Sequence, residues 1–331
     1  MFSKGKDMNA SPSWQAILQR MIRAPAERQR LATALGVSTM TLIRWANEDS
    51  KPQRSHLTRL VQIIQSQHRT ELLEALEASY PDIQSWPKDE EPEQISSEFF
   101  AQVLHARATI IESVCFWHIS DMVLRQALAQ LDANHLGMAI TLVQCMPPSE
   151  GGKICSLRER LGRGTAPWTA DLEHLSIFLG MESLAGYAVE TRHAVSVEDL
   201  RKKDQLLPAY QTEFEVSAAA HPIWMGGRIA GCLLASSTQP GYFSQQRLAL
   251  LGTFSDIVSL AFDVDDFYLP HLIALRVMPE PERQRPHLAT FRQRVQQTMS
   301  EAAQHGRHMS SLEAEQKVWQ ELEYLLLTLA E

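Results

Sequence analysis

The sequence predicts a multidomain protein with an all-α domain at its N-terminus, an α+β domain with an antiparallel sheet and flanking helices, and a helical C-terminal tail. Three observations support this fold class. A chain of 331 residues is long enough for two or three domains. Apolar residues recur at helical spacing through residues 14–67. Further along the chain, two pairs of apolar runs are joined by glycine-containing turns, as in β-hairpins.

The composition is that of a globular protein, with 44% hydrophobic and 21% charged residues. No apolar run approaches the roughly 18–20 residues that a membrane span needs. Residues 1–9 lack the apolar segment of a secretory signal. The four cysteines form no CxxC pair, and four are too few for a disulfide framework in a chain of this length. We therefore expect a soluble, cytoplasmic protein without a membrane partner.

Charge is distributed unevenly along the chain. Residues 1–70 hold eleven Lys and Arg against four Asp and Glu, a net charge of +7, whereas the remainder holds 20 and 35, a net charge of −15. The overall charge of −8 therefore conceals a basic N-terminal segment. Such asymmetry is typical of a protein in which one domain contacts a polyanion and the rest does not.

Local signals place the helices of the N-terminal domain. Pro25 suits the first turn of a helix, and Glu27 is favourable near the positive end of the helix dipole. Gly36 is placed to end that helix, because glycine adopts a positive φ without strain. Ser38 then supplies an N-cap oxygen for a following helix, which we expect to end near Asn47.

The α+β domain is predicted over residues 96–263. A long helix is expected over residues 99–131, strands over 138–146 and 153–161, and helical structure around 171–179. After a short strand at 194–197, the pair Gly226 and Gly227 joins two longer strands and is a strong hairpin signal. Ser244 then caps an amphipathic helix.

The predicted boundaries follow from these patterns. Residues 1–13 are expected to be a flexible N-terminus, and residues 14–67 the helical domain. Residues 68–95 contain a helix and an acidic, proline-containing linker, and residues 264–331 form a helical C-terminal extension.

Residues 31–52 carry a pattern of small, apolar and turn residues. It reads Leu31-Ala32-Thr33-Ala34-Leu35-Gly36-Val37-Ser38, then Thr41-Leu42, Arg44-Trp45 and Lys51-Pro52. This pattern resembles the lambda-repressor-like (XRE, or Cro/C1) helix-turn-helix family over about residues 14–66. Arg28 and Ala46 depart from the Gln and Glu that are common in the family. The resemblance implies a domain that places its second motif helix in the major groove of DNA.

The same resemblance implies a set of candidate DNA-binding residues. The groove-facing side of the second motif helix would include Arg44, which could bind guanine through two hydrogen bonds and contribute about 1–3 kcal/mol of discrimination. Basic residues outside that helix would contact phosphates, which position the protein without specifying sequence. The alternative is a solvated surface on a protein-interaction module. The candidates are Arg28, Ser38, Thr39, Met40, Ile43, Arg44, Lys51 and Arg54.

A second resemblance covers about residues 96–263. The residues that carry it are Leu184-Ala185-Gly186-Tyr187-Ala188-Val189-Glu190-Thr191-Arg192, Val195-Ser196-Val197-Glu198-Asp199, Ser217-Ala218-Ala219-Ala220-His221-Pro222-Ile223, Gly227-Arg228-Ile229-Ala230-Gly231-Cys232-Leu233 and Phe243-Ser244. In order and spacing they resemble the GAF domain. The resemblance implies a sensor of a small ligand, light or redox state, which often dimerises through its flanking helices.

The identity of a ligand or cofactor does not follow from the sequence. The signature of cyclic-nucleotide-binding GAF domains is absent, and no cysteine has the context that a bilin needs. An axial haem ligand could come from His174, His193 or His221, and Trp168 could form a pocket wall. For each of these residues a structural or surface role is the alternative. No metal site is predicted.

Cys145 and Cys155 flank the first predicted hairpin loop and could face each other as a redox pair. The alternative is that both are small buried side chains in a reducing compartment. A GAF-fold redox enzyme of the methionine-sulfoxide-reductase type is one alternative function, and an adaptor that does not bind DNA is another. Motifs for phosphate loops, serine hydrolases and zinc proteases are absent, so we do not expect an enzyme.

The sequence as a whole predicts a transcriptional regulator. Its N-terminal domain would bind duplex DNA, and the GAF-like domain would sense a small ligand or redox signal, or mediate dimerisation. A single helix-turn-helix unit buries little surface, so a homodimer on two half-sites is expected. An apolar stripe over residues 322–329 is a candidate dimer surface or an intramolecular docking surface.

Overall fold

The computed structural model describes residues 12–330, apart from residues 65, 81–93, 149–150, 173–176, 203–207, 210 and 213. It divides the chain into two compact units, Met1–Glu91 and Pro92–Glu331. In the part of the chain that is described, no helix combines the length and apolar character needed to cross a bilayer.

The first unit contains five helices within its described residues. They are α1 (Trp14–Met21), α2 (Pro25–Leu35), α3 (Thr39–Ala46), α4 (Arg54–Ile63) and α5 (Ser66–Ser79). Their apolar faces meet in a core with fully buried side chains that include Leu18, Leu31, Leu42, Leu57 and Leu72. The prediction of a helical N-terminal region is therefore confirmed.

Gly36 and Ser38, from which the turn between α2 and α3 is predicted, form that turn in the structure. Gly36 has a φ of 67°, in the left-handed region that glycine adopts without strain. The N–H of Gly36 donates to the carbonyl of Thr33 at 3.1 Å, and that of Val37 donates to Ala32 at 3.0 Å. Ser38 Oγ accepts from the N–H of Thr41 at 3.1 Å and caps α3. The N-terminal end of α3 is thereby fixed close to the end of α2.

The second unit is built on a six-stranded sheet in which every neighbouring pair is antiparallel. The strand order is β3-β2-β1-β6-β5-β4. The strands are β1 (Met138–Cys145), β2 (Leu157–Gly164), β3 (Phe178–Leu179), β4 (Val195–Val197), β5 (Ser217–Met225) and β6 (Arg228–Ser237). A register shift between Leu142 and Val143 marks a bulge in the β1–β2 pair.

Helices cover both faces of this sheet. The helices α6 (Ser97–Thr109), α7 (Glu112–Leu131) and α9 (Gln245–Val258) supply one core with residues such as Ile119 and Phe254. Helix α8 (Leu184–Thr191) supplies a second core on the other face, around Ala188 and Cys232. The prediction of an α+β domain with an antiparallel sheet and flanking helices is confirmed.

Three predicted elements differ from the structure. The helix expected over residues 99–131 is broken at Ile110 and Ile111, whose backbones are extended. Both residues are β-branched, which makes them less favourable in helices, and Ile110 packs against the core. Phe178 and Leu179, expected in helical structure, pair with β2 as strand β3. Strand β2 also begins at Leu157, four residues later than expected.

The C-terminal extension belongs to the second unit and packs against the end of its sheet. It contains α10 (Pro281–Leu288), α11 (Phe291–Gln304) and α12 (Ser311–Ala330). Val318, Leu322 and Leu326 of α12 are fully buried in a cluster with Phe178 and Met278. Leu322 and Leu326 of the predicted stripe are therefore covered by intramolecular docking, one of the two alternatives, whereas Leu329 is exposed.

A polar contact accompanies this docking. Glu323 of α12 is buried, and its Oε1 accepts a hydrogen bond from Ser156 Oγ at 2.5 Å. Burial raises the pKa of the Glu323 carboxyl. The hydrogen bond offsets part of the cost of burying that group and fixes the register of α12 on the sheet.

Candidate functional site

One face of α3 is exposed and the opposite face is buried. Leu42 and Trp45 point into the core of the first unit. Met40, with 62% of its surface exposed, and Arg44 lie four residues apart and share the exposed face. Thr39 and Ile43 are partly exposed beside them. The structure thus brings four of the predicted DNA-binding residues together on one helix surface.

The other predicted DNA-binding residues lie on neighbouring elements. Ser38 caps α3, Arg28 lies partly exposed near the start of α2, and Lys51 and exposed Arg54 precede and begin α4. Among the described residues, Arg28, Arg44, Lys51 and Arg54 take part in no ion pair. These four cations are therefore available to an external anion.

Other arginines of the first unit are engaged by its own carboxylates. Arg20 forms an ion pair with Glu71 at 2.5 Å and joins α1 to α5. Arg30 pairs with Glu27 at 2.6 Å and also donates to the carbonyl of Ile63, which joins α2 to α4. Arg20 and Arg30 are thus used in contacts within the unit, in contrast to Arg28, Arg44, Lys51 and Arg54 among the described residues.

The predicted ligand residues of the second unit do not come together. His221 lies on the α9 side of the sheet, where its ring packs so closely on Gly252 that a Cβ at that glycine would lie 2.9 Å from Nε2. Trp168 packs edge-on against Phe214, with ring centroids 6.0 Å apart. His193 is exposed. The prediction for His174 falls outside the described residues.

Two carboxyl groups on the α8 side of the sheet were not predicted from the sequence. Glu215, next to Phe214, is buried and accepts a hydrogen bond from Ser236 Oγ at 2.6 Å. Glu159 lies opposite Val143 in the β1–β2 register, so its side chain points to the same side as Val143. Glu159 belongs to β2 and Glu215 precedes β5, so only the fold brings the two groups to one face.

The electrostatics of this face favour protonated carboxyls. Burial raises the pKa of Glu159 to about 8, and the nearby charge of Glu215 adds to the shift. Burial also raises the pKa of Glu215, although the hydrogen bond from Ser236 opposes that shift. A protonated Glu159 could donate a hydrogen bond to a ligand at neutral pH, whereas an ionised one would attract an ammonium group.

The cysteines are not arranged as the redox hypothesis requires. In the β1–β2 register Cys145 lies opposite Leu157, and Cys155 lies two residues before that position. Cys145 instead shares the α8-side cluster with Cys232, while Cys155 is partly exposed near α12. Burial raises the pKa of Cys145 to about 12 and that of Cys232 above its usual range. The structure does not bring the two predicted partners face to face.

Comparison with known proteins identifies the fold of the second unit. Residues 119–263 match the family model of the GAF domain. The chain contains a GAF domain. The match includes the whole six-stranded sheet and ends between α9 and the C-terminal helices. The first unit lies outside the matched residues, and no curated protein matches the chain.

Solved structures with similarity to this chain include methionine-sulfoxide reductases and GAF domains of other proteins. Type II free methionine-R-sulfoxide reductase from Thermoplasma acidophilum is 17% identical, and the alignment covers 50% of this chain and 97% of the reductase with a TM-score of 0.32. The GAF domain of an Acinetobacter phosphoenolpyruvate-protein phosphotransferase is 16% identical, with 50% and 93% covered and a TM-score of 0.34. The GAF-B domain of DevS from Mycobacterium smegmatis is 17% identical, with 46% and 92% covered and a TM-score of 0.28.

Proposed function

We propose that this protein is a DNA-binding transcriptional regulator in which the first unit contacts duplex DNA and the GAF domain responds to a small ligand or redox signal. The observation that carries the proposal is the exposed face of α3, which presents Arg44 in a segment of net charge +7. A helix that is fixed by a tight turn and exposes one face is suited to the major groove.

The charge distribution supports a division of labour between the two units. Arg28, Lys51 and Arg54 form no ion pair with any residue that the structure describes. They are suited to phosphate contacts, which provide most of the affinity for DNA in a sequence-independent way. The remainder of the chain has a net charge of −15 and would be repelled by a duplex. DNA contact is therefore proposed for the first unit alone.

Dimerisation is proposed through α6 and α7. These helices expose the large apolar side chains of Phe100, Leu104, Val114 and Trp117, and Ile111 in the extended segment between them is also exposed. An apolar surface of this kind is typical of a protein–protein contact. In the sequence α6 begins 18 residues after α5 ends. A dimer formed through α6 and α7 would therefore link two DNA-binding units, one for each of two half-sites.

Thiol catalysis is not part of the proposal. A catalytic cysteine acts as the thiolate and therefore needs access to solvent and a lowered pKa. Cys115, Cys145 and Cys232 are buried, and burial raises the pKa of the last two. Burial therefore argues against catalysis by these three thiols, whereas Cys155, the fourth cysteine, is partly exposed.

The test of this proposal is a titration of labelled duplex DNA with the full chain at several salt concentrations. We expect the logarithm of the binding constant to fall linearly with the logarithm of salt, with a slope of about −0.9 for each phosphate neutralised. Replacing Lys51 and Arg54 together by glutamine should reduce the steepness of that slope by about two. Arg20→Gln, which removes a cation already paired with Glu71, is the matched control and should leave it nearly unchanged. Absence of duplex binding at low salt would exclude the proposal.

A further inference from the structure

A small cavity lies at one end of the sheet, between the β1–β2 hairpin and α12. Its volume is about 80 Å³, more than the roughly 30 Å³ that a water molecule occupies in the liquid. Its polar lining consists of Gln144 from β1, Arg158 and Arg160 from β2, Asp266 from the segment that follows α9, and Gln316 from α12. Trp319 of α12 forms an aromatic wall. The cavity is large enough for several non-hydrogen atoms.

Arg158 of β2 has no oppositely charged partner in the part of the chain that the structure describes. Its Nε atom is buried and has no hydrogen-bond partner there. Its guanidinium carbon lies 3.9 Å from the centroid of the Trp319 ring, in a cation–π contact. Among the described residues Arg158 makes no ion pair, and the acidic residue that acts on it through space is Glu315. An unpaired charge in a partly buried position is costly unless an anion or water compensates it.

Arg160, the second cation of the cavity, is hydrogen-bonded to a side chain of β1. It donates a hydrogen bond to Oε1 of Gln144, whose Nε2 donates to Asp266 Oδ1 at 2.9 Å. Its guanidinium carbon also lies 4.6 Å from the centroid of the Phe116 ring. Asp266 accepts a further hydrogen bond from the N–H of Asp263 at 3.1 Å. Of the two arginines in the cavity, Arg158 is therefore the one with the greater need of an anion as a hydrogen-bond acceptor.

We propose that this cavity binds the carboxylate group of a small organic acid, with the Arg158 guanidinium as its principal donor. A planar carboxylate matches the two-pronged geometry of a guanidinium. The nearby charges of Asp266 and Glu315 favour a singly charged ligand over a phosphate dianion. Met146, Pro147 and Tyr268 complete the lining and suit a short apolar substituent.

The position of the cavity suggests a consequence for regulation, which rests on the proposed sensor function. Arg158 belongs to the sheet, whereas Gln316 and Trp319 belong to α12. A carboxylate held between them would strengthen the docking of α12 on the GAF domain. The ligand would then shift the equilibrium between docked and undocked α12 toward the docked state, because a ligand favours the state that it binds more tightly.

The test is the thermal unfolding midpoint of the full chain as a function of sodium acetate or sodium propionate, with sodium chloride used to hold the ionic strength constant. We expect a saturable rise of the midpoint for the wild type. Arg158→Met should weaken the apparent affinity for acetate at least tenfold and leave the midpoint without acetate unchanged or higher, because it removes an unpaired charge. Arg125→Met, which changes an exposed arginine of α7, is the matched control and should behave as the wild type.

Two further arms make the outcome decisive. Arg158→Lys keeps the charge but loses the two-pronged geometry, and should weaken acetate binding several-fold. Equal affinity for acetate in all variants, or no saturable rise of the unfolding midpoint in the wild type, would overturn the proposal. A larger rise with phosphate than with acetate would overturn the choice of a carboxylate.

Duplex binding is measured on the same samples without acetate. Loss of duplex binding by the wild type would contradict the proposed function and leave the acetate result standing.

Discussion

Replacing Arg44 by alanine is expected to reduce the affinity of the full chain for its preferred duplex by about 5- to 150-fold, which corresponds to roughly 1–3 kcal/mol. The physical reason is the position of Arg44 on the exposed face of α3, where its guanidinium has no partner among the described residues. The loss should be smaller on unrelated duplexes, because a base contact contributes only to the preferred sequence.

The measurement first requires a preferred sequence, obtained by selecting duplexes from a random library with the wild-type chain. Affinities for the selected duplex and a scrambled duplex are then compared by fluorescence anisotropy. Arg23→Ala is the matched control, since it removes the same charge from an exposed position outside α3. The stability of both variants should change by less than about 0.5 kcal/mol, as expected for exposed side chains. An equal loss on the selected and scrambled duplexes would show that Arg44 does not bind a base.

Replacing Leu322 by alanine is expected to destabilise the docking of α12 by about 2–5 kcal/mol. Leu322 is fully buried, and its cluster includes Phe178 of β3 and Met278. Truncation removes the transfer free energy of the deleted atoms and leaves a cavity in a packed contact. We therefore expect α11 and α12 to become susceptible to limited proteolysis under conditions in which the wild type resists it.

Tyr324→Ala provides the control for this prediction. It removes a large side chain from the same helix, but 73% of the surface of Tyr324 is exposed. Its effect on stability should stay within about 0.5 kcal/mol. Equal protease sensitivity of the two variants would mean that the buried stripe of α12 does not hold the C-terminal helices on the GAF domain.

The parts of the fold that depend on local signals could be predicted from the sequence. Pro25, Gly36 and Ser38 act within one or two helical turns, and they mark the limits of α2 and α3 that the structure shows. Gly226 and Gly227 likewise form the turn between β5 and β6. In each case the residue acts through its own backbone preference or through a hydrogen bond three residues away, so no tertiary information was needed.

The parts that depend on tertiary contacts could not be predicted. Strand β3 is only two residues long and exists because Phe178 and Leu179 pair with β2. The stripe on α12 indicated an apolar surface, but its sequence did not specify whether a second chain or the GAF domain covers it. Sequence position alone likewise gave no indication that Glu159 and Glu215, 56 residues apart, lie near each other.

The predicted site residues show the same division. Residues of one helix, such as Met40 and Arg44, share a face because helical periodicity places them there. Residues from different elements, such as Trp168 and His221, depend on the face of the sheet to which each strand or loop points. The alternation of Ala219, His221 and Ile223 could have placed His221 on the α9 side, but only once the core face of β5 was known.

We propose that the first unit binds duplex DNA through α3. Amide hydrogen exchange of the full chain, measured free and with saturating duplex, shows which residues the duplex contacts. We expect slowed exchange at the turn between α2 and α3, within α3, and near Lys51 and Arg54, and no comparable protection on the sheet of the GAF domain. Protection confined to residues 96–263, or unchanged exchange throughout α3, would contradict the account.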